Sequence, residues 1–368
     1  MSNVSQNRTV NANELRAALN VCIRKQRPVF IWGPFGAGKS EIVEQLCEES
    51  DGLLYDLRLS QMEQTDLRGM PFFNKETNQM EWAPPIDLPD AETAAKYPVV
   101  FLFLDEMNSA MPATQAAAYQ LVLNRRVGTY KLPDNVVIIA AGNRESDKGV
   151  TYKMPKPLAN RFVHMELRVD YDCWLDWAAK QKINPDVVGY VTAFKSALYD
   201  FDPKNPEHAC ATPRTWTFVS ELIEDSGISE GTCMDLVAGS VGQGHALKFM
   251  AHRRFAKDLP TNEDVFRGTA EPLKIKEISA QYALITSLVF DLDGFNTDQN
   301  KPKDWKEKFH KATDNMLGYI LDNMSTEIVV MGMRMALKKF NLPLEPSKLT
   351  NFKRFKDGPG QLVFRAAS

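Results

Sequence analysis

The chain has 368 residues, a hydrophobic fraction of 44%, a charged fraction of 25% and a formal net charge of −3. One core stops growing at about 250–300 residues, so two or three domains are expected. The apolar content excludes disorder as the main state, the near-neutral balance excludes polyanion binding through bulk charge, and no apolar run approaches the ~18 residues of a membrane span. The stretch from Met1 to Arg16 holds no apolar signal core, so export is not expected and a cytoplasmic location is. The five cysteines, Cys22, Cys47, Cys173, Cys210 and Cys233, include no C-x-x-C pair; Cys22 and Cys47 fall on apolar helix stripes and read as small core residues. The five histidines lack metal-ligand spacing, and no zinc site is expected.

In chain order, residues 1–10 are polar and expected to be loose. Between Asn11 and Lys25, Leu15, Ala18, Leu19, Cys22 and Ile23 recur as one helical face. Pro28 to Trp32 is a short apolar strand, and Glu41 to Glu48 is a second helix. Leu53 to Leu59 alternates as a strand, and residues 61–98, rich in Pro, Gly and Asn, read as an insertion carrying a hairpin. Val99 to Asp105 is apolar up to its last residue, the signature of a parallel strand covered on both faces. Pro112 to Arg125 is a helix with proline in its first turn. Val136 to Ala141 is another buried strand, and His164 to Val169 a candidate fifth. Alternating strands and helices over 1–170 predict an α/β fold with a parallel sheet sandwiched by helices. The pattern turns helical after Tyr171, is broken at Pro203, Pro206 and Pro213, resumes from Asp264 and is ended by Pro343 and Pro346. Between 301 and 368 there are 13 Lys or Arg against 7 Asp or Glu. That stretch reads as a solvated helical face, with contact to an acidic partner or nucleic acid as the alternative.

Three segments carry chemistry. Gly33, Pro34, Phe35, Gly36, Ala37, Gly38, Lys39 and Ser40 fit G-x-x-x-x-G-K-S/T between a buried strand and a helix that opens with Glu41. Glycines let the backbone wrap a phosphate, and the amides from Ala37 to Ser40 aim at the anion from a helix N-terminus. Lys39 would reach the β- and γ-phosphates, and the Ser40 hydroxyl would ligate Mg²⁺. Asp105 and Glu106 end a buried strand at the edge where open α/β sheets bind ligands. Asp105 suits a water-mediated Mg²⁺ contact, and Glu106 suits the general base that polarises a water. Asn143 ends the next buried strand, where it could hold that water; the plainer reading is a turn residue after Gly142.

In this order the three segments resemble an AAA+ ATPase. The run Asp105-Glu-Met-Asn-Ser-Ala-Met-Pro-Ala-Thr-Gln115 resembles the DE-x-N-x-A-x-P-x-T-Q stretch of the MoxR-type group, the helix-2-insert, dynein-related AAA+ proteins. Thr65-Asp-Leu-Arg-Gly-Met-Pro71 and Trp82-Ala-Pro-Pro85 look like that group's insertion. Leu158-Ala-Asn-Arg161-Phe162 resembles the arginine-finger segment, and Thr212-Pro-Arg214-Thr-Trp216 resembles sensor 2. The similarity runs from about residue 11 to about residue 290.

The resemblance implies a P-loop core over 1–170 with the insertion at about 61–98. It also implies an all-α lid over 171–262, followed by a mainly helical extension over 263–368. It implies ATP and Mg²⁺ bound at the seams of a homo-oligomeric ring, a hexamer, with Lys39, Ser40 and Glu41 in the phosphate cradle. Asn143 would be sensor 1, and Arg161 would complete the neighbouring subunit's site, with Arg125 and Arg126 as rivals. Arg214 would bind the γ-phosphate of its own site. Met70, Phe72 and Phe73 would either grip a partner or pack on the insertion itself. The expected activity is ATP hydrolysis that remodels or activates a protein partner, in such families often a von Willebrand A domain protein. A nucleic-acid loader or motor is the alternative, motivated by Lys353, Arg354 and Lys356 and by His252-Arg253-Arg254. A non-hydrolysing, nucleotide-gated scaffold is a third reading. No membrane partner is expected.

Overall fold

The computed structural model of the chain describes residues 8–364 apart from 84, 128–129, 145–150, 226, 258, 275–276, 298–300 and 303. The loose reading of residues 1–7, and Pro84 of the Trp82–Pro85 stretch, lie outside the described residues. The chain divides into two compact units, Met1–Cys173 and Trp174–Ser368.

The first unit opens with β1 (Thr9–Val10) and α1 (Ala12–Arg24). Asn11 caps α1: its Oδ1 accepts from the Glu14 amide at 2.9 Å while Glu14 accepts from the Asn11 amide at 2.9 Å. This reciprocal box satisfies two otherwise orphaned amides. Next come β2 (Val29–Trp32), α2 (Lys39–Glu49), β3 (Leu53–Arg58) and α3 (Gln64–Arg68). A hairpin of β4 (Met70–Asn74) and β5 (Gln79–Ala83) leads to α4 (Ala91–Ala94) and β6 (Val100–Asp105). After α5 (Pro112–Asn124), a small hairpin of β7 (Arg126–Val127) and β8 (Tyr130–Lys131) precedes β9 (Val136–Gly142), α6 (Lys156–Ala159) and β10 (Val163–Leu167).

Six strands form one parallel sheet in the order β1-β10-β2-β9-β6-β3. Successive side chains of β6 point to opposite faces. Phe101 and Phe103 join a core with Leu15, Leu19, Ile42, Val43 and Leu46 of α1 and α2. Leu102 and Leu104 join a second core with Leu67, Ala117, Ala118, Leu121 and Leu158 of α3, α5 and α6. Burial on both faces is why these strands show no polar alternation. Cys47 belongs to the first core, and its thiol is pushed up to about 11, chiefly by burial. This is the P-loop AAA arrangement, a parallel sheet flanked by helices. The polar start of the chain contains a strand that sequence periodicity does not announce. Two residues have no period, and β1 exists because Val10 pairs with Leu167 at the sheet edge.

α7 (Tyr171–Lys180) carries the chain into the second unit, which is helical. It contains α8 (Pro185–Ala193), α9 (Pro213–Leu222), α10 (Glu230–Val241), α11 (Gln243–Lys257), α12 (Asn262–Arg267), α13 (Ile278–Thr297), α14 (Trp305–Asn323) and α15 (Thr326–Arg334). Within this unit α13 packs along α8. Pro343 and Pro346 do not end the helical part: α16 (Phe352–Asp357) and α17 (Gly360–Phe364) follow, anchored by the buried Phe355 and Val363.

His252 of α11 is 2% exposed, against the ring of Tyr190 at 5.8 Å. Burial holds its imidazole below the ordinary histidine value, with Asp186 opposing. Below about pH 6.5 the unfolded chain therefore takes up a proton that the folded chain resists, and stability falls by up to about 1.4 kcal/mol per pH unit. Urea melts between pH 7.5 and 5 should show this loss, and His252→Leu should flatten it. Equal slopes for the two proteins would refute the assignment.

Candidate nucleotide-binding site

β2 is buried until Trp32 and delivers the chain to a loop whose geometry depends on glycine. Gly38 has φ +85°, a left-handed conformation, and forms the N-cap of α2 without a side-chain cap. A Cβ on Gly38 would meet nothing within 4 Å, so backbone conformation rather than space demands glycine there. A helix N-terminus with no side-chain cap, facing open space, suits an anionic phosphate. Lys39 is 8% exposed. Its Nζ donates to Gly33 O at 2.9 Å, Pro34 O at 3.0 Å and Asn143 Oδ1 at 3.0 Å. The loop lysine and the residue just after β9 are thus brought together across 104 positions of sequence.

One strand further along the sheet, Ser40 Oγ donates to Asp105 Oδ2 at 3.1 Å. A hydroxyl and a carboxylate are the hard oxygen donors that Mg²⁺ prefers. Asp56, on the neighbouring β3, has its carboxyl pushed up by burial and then by the charge of Asp105, with Arg58 opposing. Negative charge accumulated at this edge is what a divalent cation offsets, so the residues fit the ion. Glu106 has φ +53°, left-handed for a residue with a Cβ. Its amide donates to Asp105 Oδ1 at 2.8 Å, and its carboxylate accepts a hydrogen bond from Ser60 Oγ. Ser60 follows β3, and no sequence signal points to it.

Asn108, inside the Asp105–Gln115 run, is a second residue at the site whose part the sequence alone does not reveal. Its carboxamide donates to Asn143 O at 2.7 Å and accepts from the Asn143 amide at 3.2 Å. Gly142 makes the approach possible, because a Cβ there would lie 2.3 Å from Asn108 Oδ1.

Residues 29–168 match the model of the ATPase family associated with various cellular activities, AAA. Residues 29–168 are an AAA ATPase domain. The chain is 28% identical over 165 residues to Midasin of Giardia intestinalis, covering 42% of this chain and 3% of that protein. Among solved structures, NtrX of Brucella abortus is 14% identical with a TM-score of 0.39, covering 96% of this chain and 69% of that one. The RuvB Holliday junction branch migration motor of Thermotoga maritima is 14% identical with a TM-score of 0.35, covering 75% and 80%.

Within the AAA domain, the arginines separate by their surroundings. Arg161, just past α6, is exposed, and its guanidinium has no hydrogen bond or ion pair among the described residues. Arg125 is committed inside its own chain, donating to Pro133 O at 2.7 Å and Val136 O at 2.8 Å. Burial also lowers its pKa. Arg126 is exposed on β7. Arg214 is exposed in the first turn of α9 in the second unit, where Thr212 caps the helix.

The insertion of the AAA domain forms the β4–β5 hairpin, paired from Met70↔Ala83 to Asn74↔Gln79. Met70 is 65% exposed, Phe73 54% and Met80 63%, with Phe72 also outside. Its attachment to α3 includes Arg68 over the Trp82 ring at 5.2 Å. Self-packing does not bury the apolar side chains of β4.

Proposed function

We propose that the chain binds ATP with Mg²⁺ at the seams of a homo-oligomeric ring, a hexamer, and hydrolyses it to remodel or activate a protein partner in the manner of the MoxR-type group. The observation that carries the reading is the convergence of Lys39 with Asn143 and of Ser40 with Asp105, beside Glu106, at one end of β2, β6 and β9. Lys39 and the loop amides would hold the β- and γ-phosphates, with Gly33, Pro34, Phe35, Gly36, Ala37, Gly38 and Glu41 shaping the cradle. Ser40 and Asp105 would hold Mg²⁺, which supplies charge neutralisation between the phosphates. Glu106 accepts a proton from water, and Asn143 orients that water. Arg161 reaches the adjoining subunit's site, where an arginine supplied in trans is worth roughly 10³–10⁵ in rate in the GTPase comparison. The assignment of Arg214 to the γ-phosphate of its own subunit rests on the resemblance alone. The exposed apolar hairpin supports a protein partner; a von Willebrand A domain is suggested by the resemblance alone. The reading assigns this work to the cytoplasm. No helix among the described residues is long and apolar enough to cross a membrane.

A nucleic-acid role is less well supported, because basic groups that would motivate it are engaged within the second unit. Arg253 pairs with Asp186 at 2.8 Å, Arg254 with Glu230 at 2.8 Å, and Arg354 with Asp322. Turnover stimulated by DNA or RNA with a steep salt dependence would reverse that preference.

The test is a mixing experiment. Arg161→Ala and Lys39→Ala subunits, each inactive alone, should regain turnover on mixing, because one supplies an intact cradle and the other an intact finger. Native mass spectrometry checks that they co-assemble. Mixed rings without any regained activity would overturn the shared-site reading.

A further inference from the structure

Asn143 stands just beyond the end of β9, where ladder pairing no longer fixes the backbone. Its position is set from the side instead. Asn108, 2% exposed, lies two residues after Glu106 and uses one planar carboxamide to engage both the N–H and the C=O of Asn143. Two bonds to a single residue restrict its rotation as well as its translation. The Asn108 carbonyl in turn accepts from the Tyr152 amide at 2.7 Å. Gly142 supplies the room for this approach. Held in this way, Asn143 presents Oδ1 to Lys39 Nζ at 3.0 Å.

We infer that Asn108 is a positioning residue for ATP hydrolysis, setting the carboxamide of Asn143 against Lys39 without touching nucleotide itself. The inference rests on the ATPase reading above and assigns a role to a side chain outside the phosphate cradle. A carboxamide suits this place, because its separate nitrogen and oxygen donate to one backbone group and accept from the other at the same time. Aspartate accepts but does not donate, and its second oxygen would oppose the Asn143 carbonyl. Alanine does neither. The turn that carries Glu106 is thereby joined to the strand end that carries Asn143, so the water-activating and water-orienting groups move as one piece.

The experiment compares the full-length chain with Asn108→Ala, Asn108→Asp, Asn143→Ala and the Asn108→Ala/Asn143→Ala double variant. It measures kcat, the dissociation constant of a fluorescent ATP analogue, and the melting temperature. Asn108→Ala and Asn108→Asp should lower kcat by about 10- to 100-fold, some 1.4–2.7 kcal/mol at 1.36 kcal/mol per tenfold. Analogue binding should stay within about threefold of the unaltered chain, as expected for a group that acts only in the reaction. The double variant should be no more than about twofold slower than Asn143→Ala, since a residue acting through Asn143 has nothing left to position. Gly142→Ala, which pushes against Asn108 from the other side, should reproduce the kcat loss.

Unchanged kcat in Asn108→Ala beside a slow Asn143→Ala would overturn the inference and leave the ATPase reading standing. So would a double variant that loses the product of the two single effects. Parallel losses of affinity and melting temperature in both Asn108 variants would make Asn108 merely structural. An unaltered chain that binds ATP but never turns it over would sink the functional reading and this inference together.

Discussion

Lys39→Ala should reduce ATP binding by roughly 10²–10⁴-fold. The ammonium is largely shielded from solvent and sits among the carbonyls of Gly33 and Pro34 and the amide oxygen of Asn143. It is the one cation built into the glycine-rich loop. Phosphate oxygens entering the cradle would exchange with some of these oxygens and gain charge-assisted bonds. Each such bond is worth about 1.5–3 kcal/mol, and two lost bonds correspond to the stated range. Alanine also leaves the two loop carbonyls without their donor, which loosens the cradle. Calorimetric titration with ATP and Mg²⁺ measures the effect. Affinity retained within tenfold of the unaltered chain would contradict the assignment of this loop.

Glu106→Gln should separate binding from turnover. Glutamine keeps the size of the side chain and can still accept from the Ser60 hydroxyl, so the left-handed turn at residue 106 should persist. It cannot take a proton from water. Loss of a positioned general base typically costs about 10²–10⁴ in rate. The variant should therefore bind ATP as the unaltered chain does, while steady-state phosphate release falls by that factor. Normal phosphate release would remove Glu106 from the reaction. Negligible turnover in the unaltered chain at high protein concentration would favour a nucleotide-gated scaffold instead. With ATP held in place, the same variant is suited to affinity capture of a partner followed by mass spectrometry, with an Asp-substituted Phe72/Phe73 hairpin as control.

Sequence reading and structure agree where apolar runs are long. β6 and β9 are buried over nearly their whole length, and their uninterrupted hydrophobicity marks them as central parallel strands. The phosphate loop was legible because its chemistry needs glycine and lysine at fixed spacing. Longer-range relations were not legible. Ser60 meets Glu106 only because β3 and β6 are neighbours, with Arg58 opposite Asp105. Arg125 and Arg161 look alike as letters. Only the structure, with Arg125 in a turn at φ +50°, shows its guanidinium bonded to the carbonyls of Pro133 and of Val136, the first residue of β9. β1 escaped because two residues cannot display a period, and α16 and α17 escaped because prolines at 343 and 346 suggested a terminus rather than a pause.

The β4–β5 hairpin has a consequence for how such a chain could diversify. Its strands hydrogen-bond to each other and to no strand of the main sheet, and neither AAA-domain core cluster includes a residue between 70 and 83. The nearest core members are Leu67 before it and Leu88 after it. Changes of tip sequence therefore escape the constraints that packing imposes on the sheet and its two cores. On the proposed reading, partner recognition and ATP hydrolysis could therefore drift at different rates along one polypeptide, and an exchanged tip could change the partner without altering the nucleotide site.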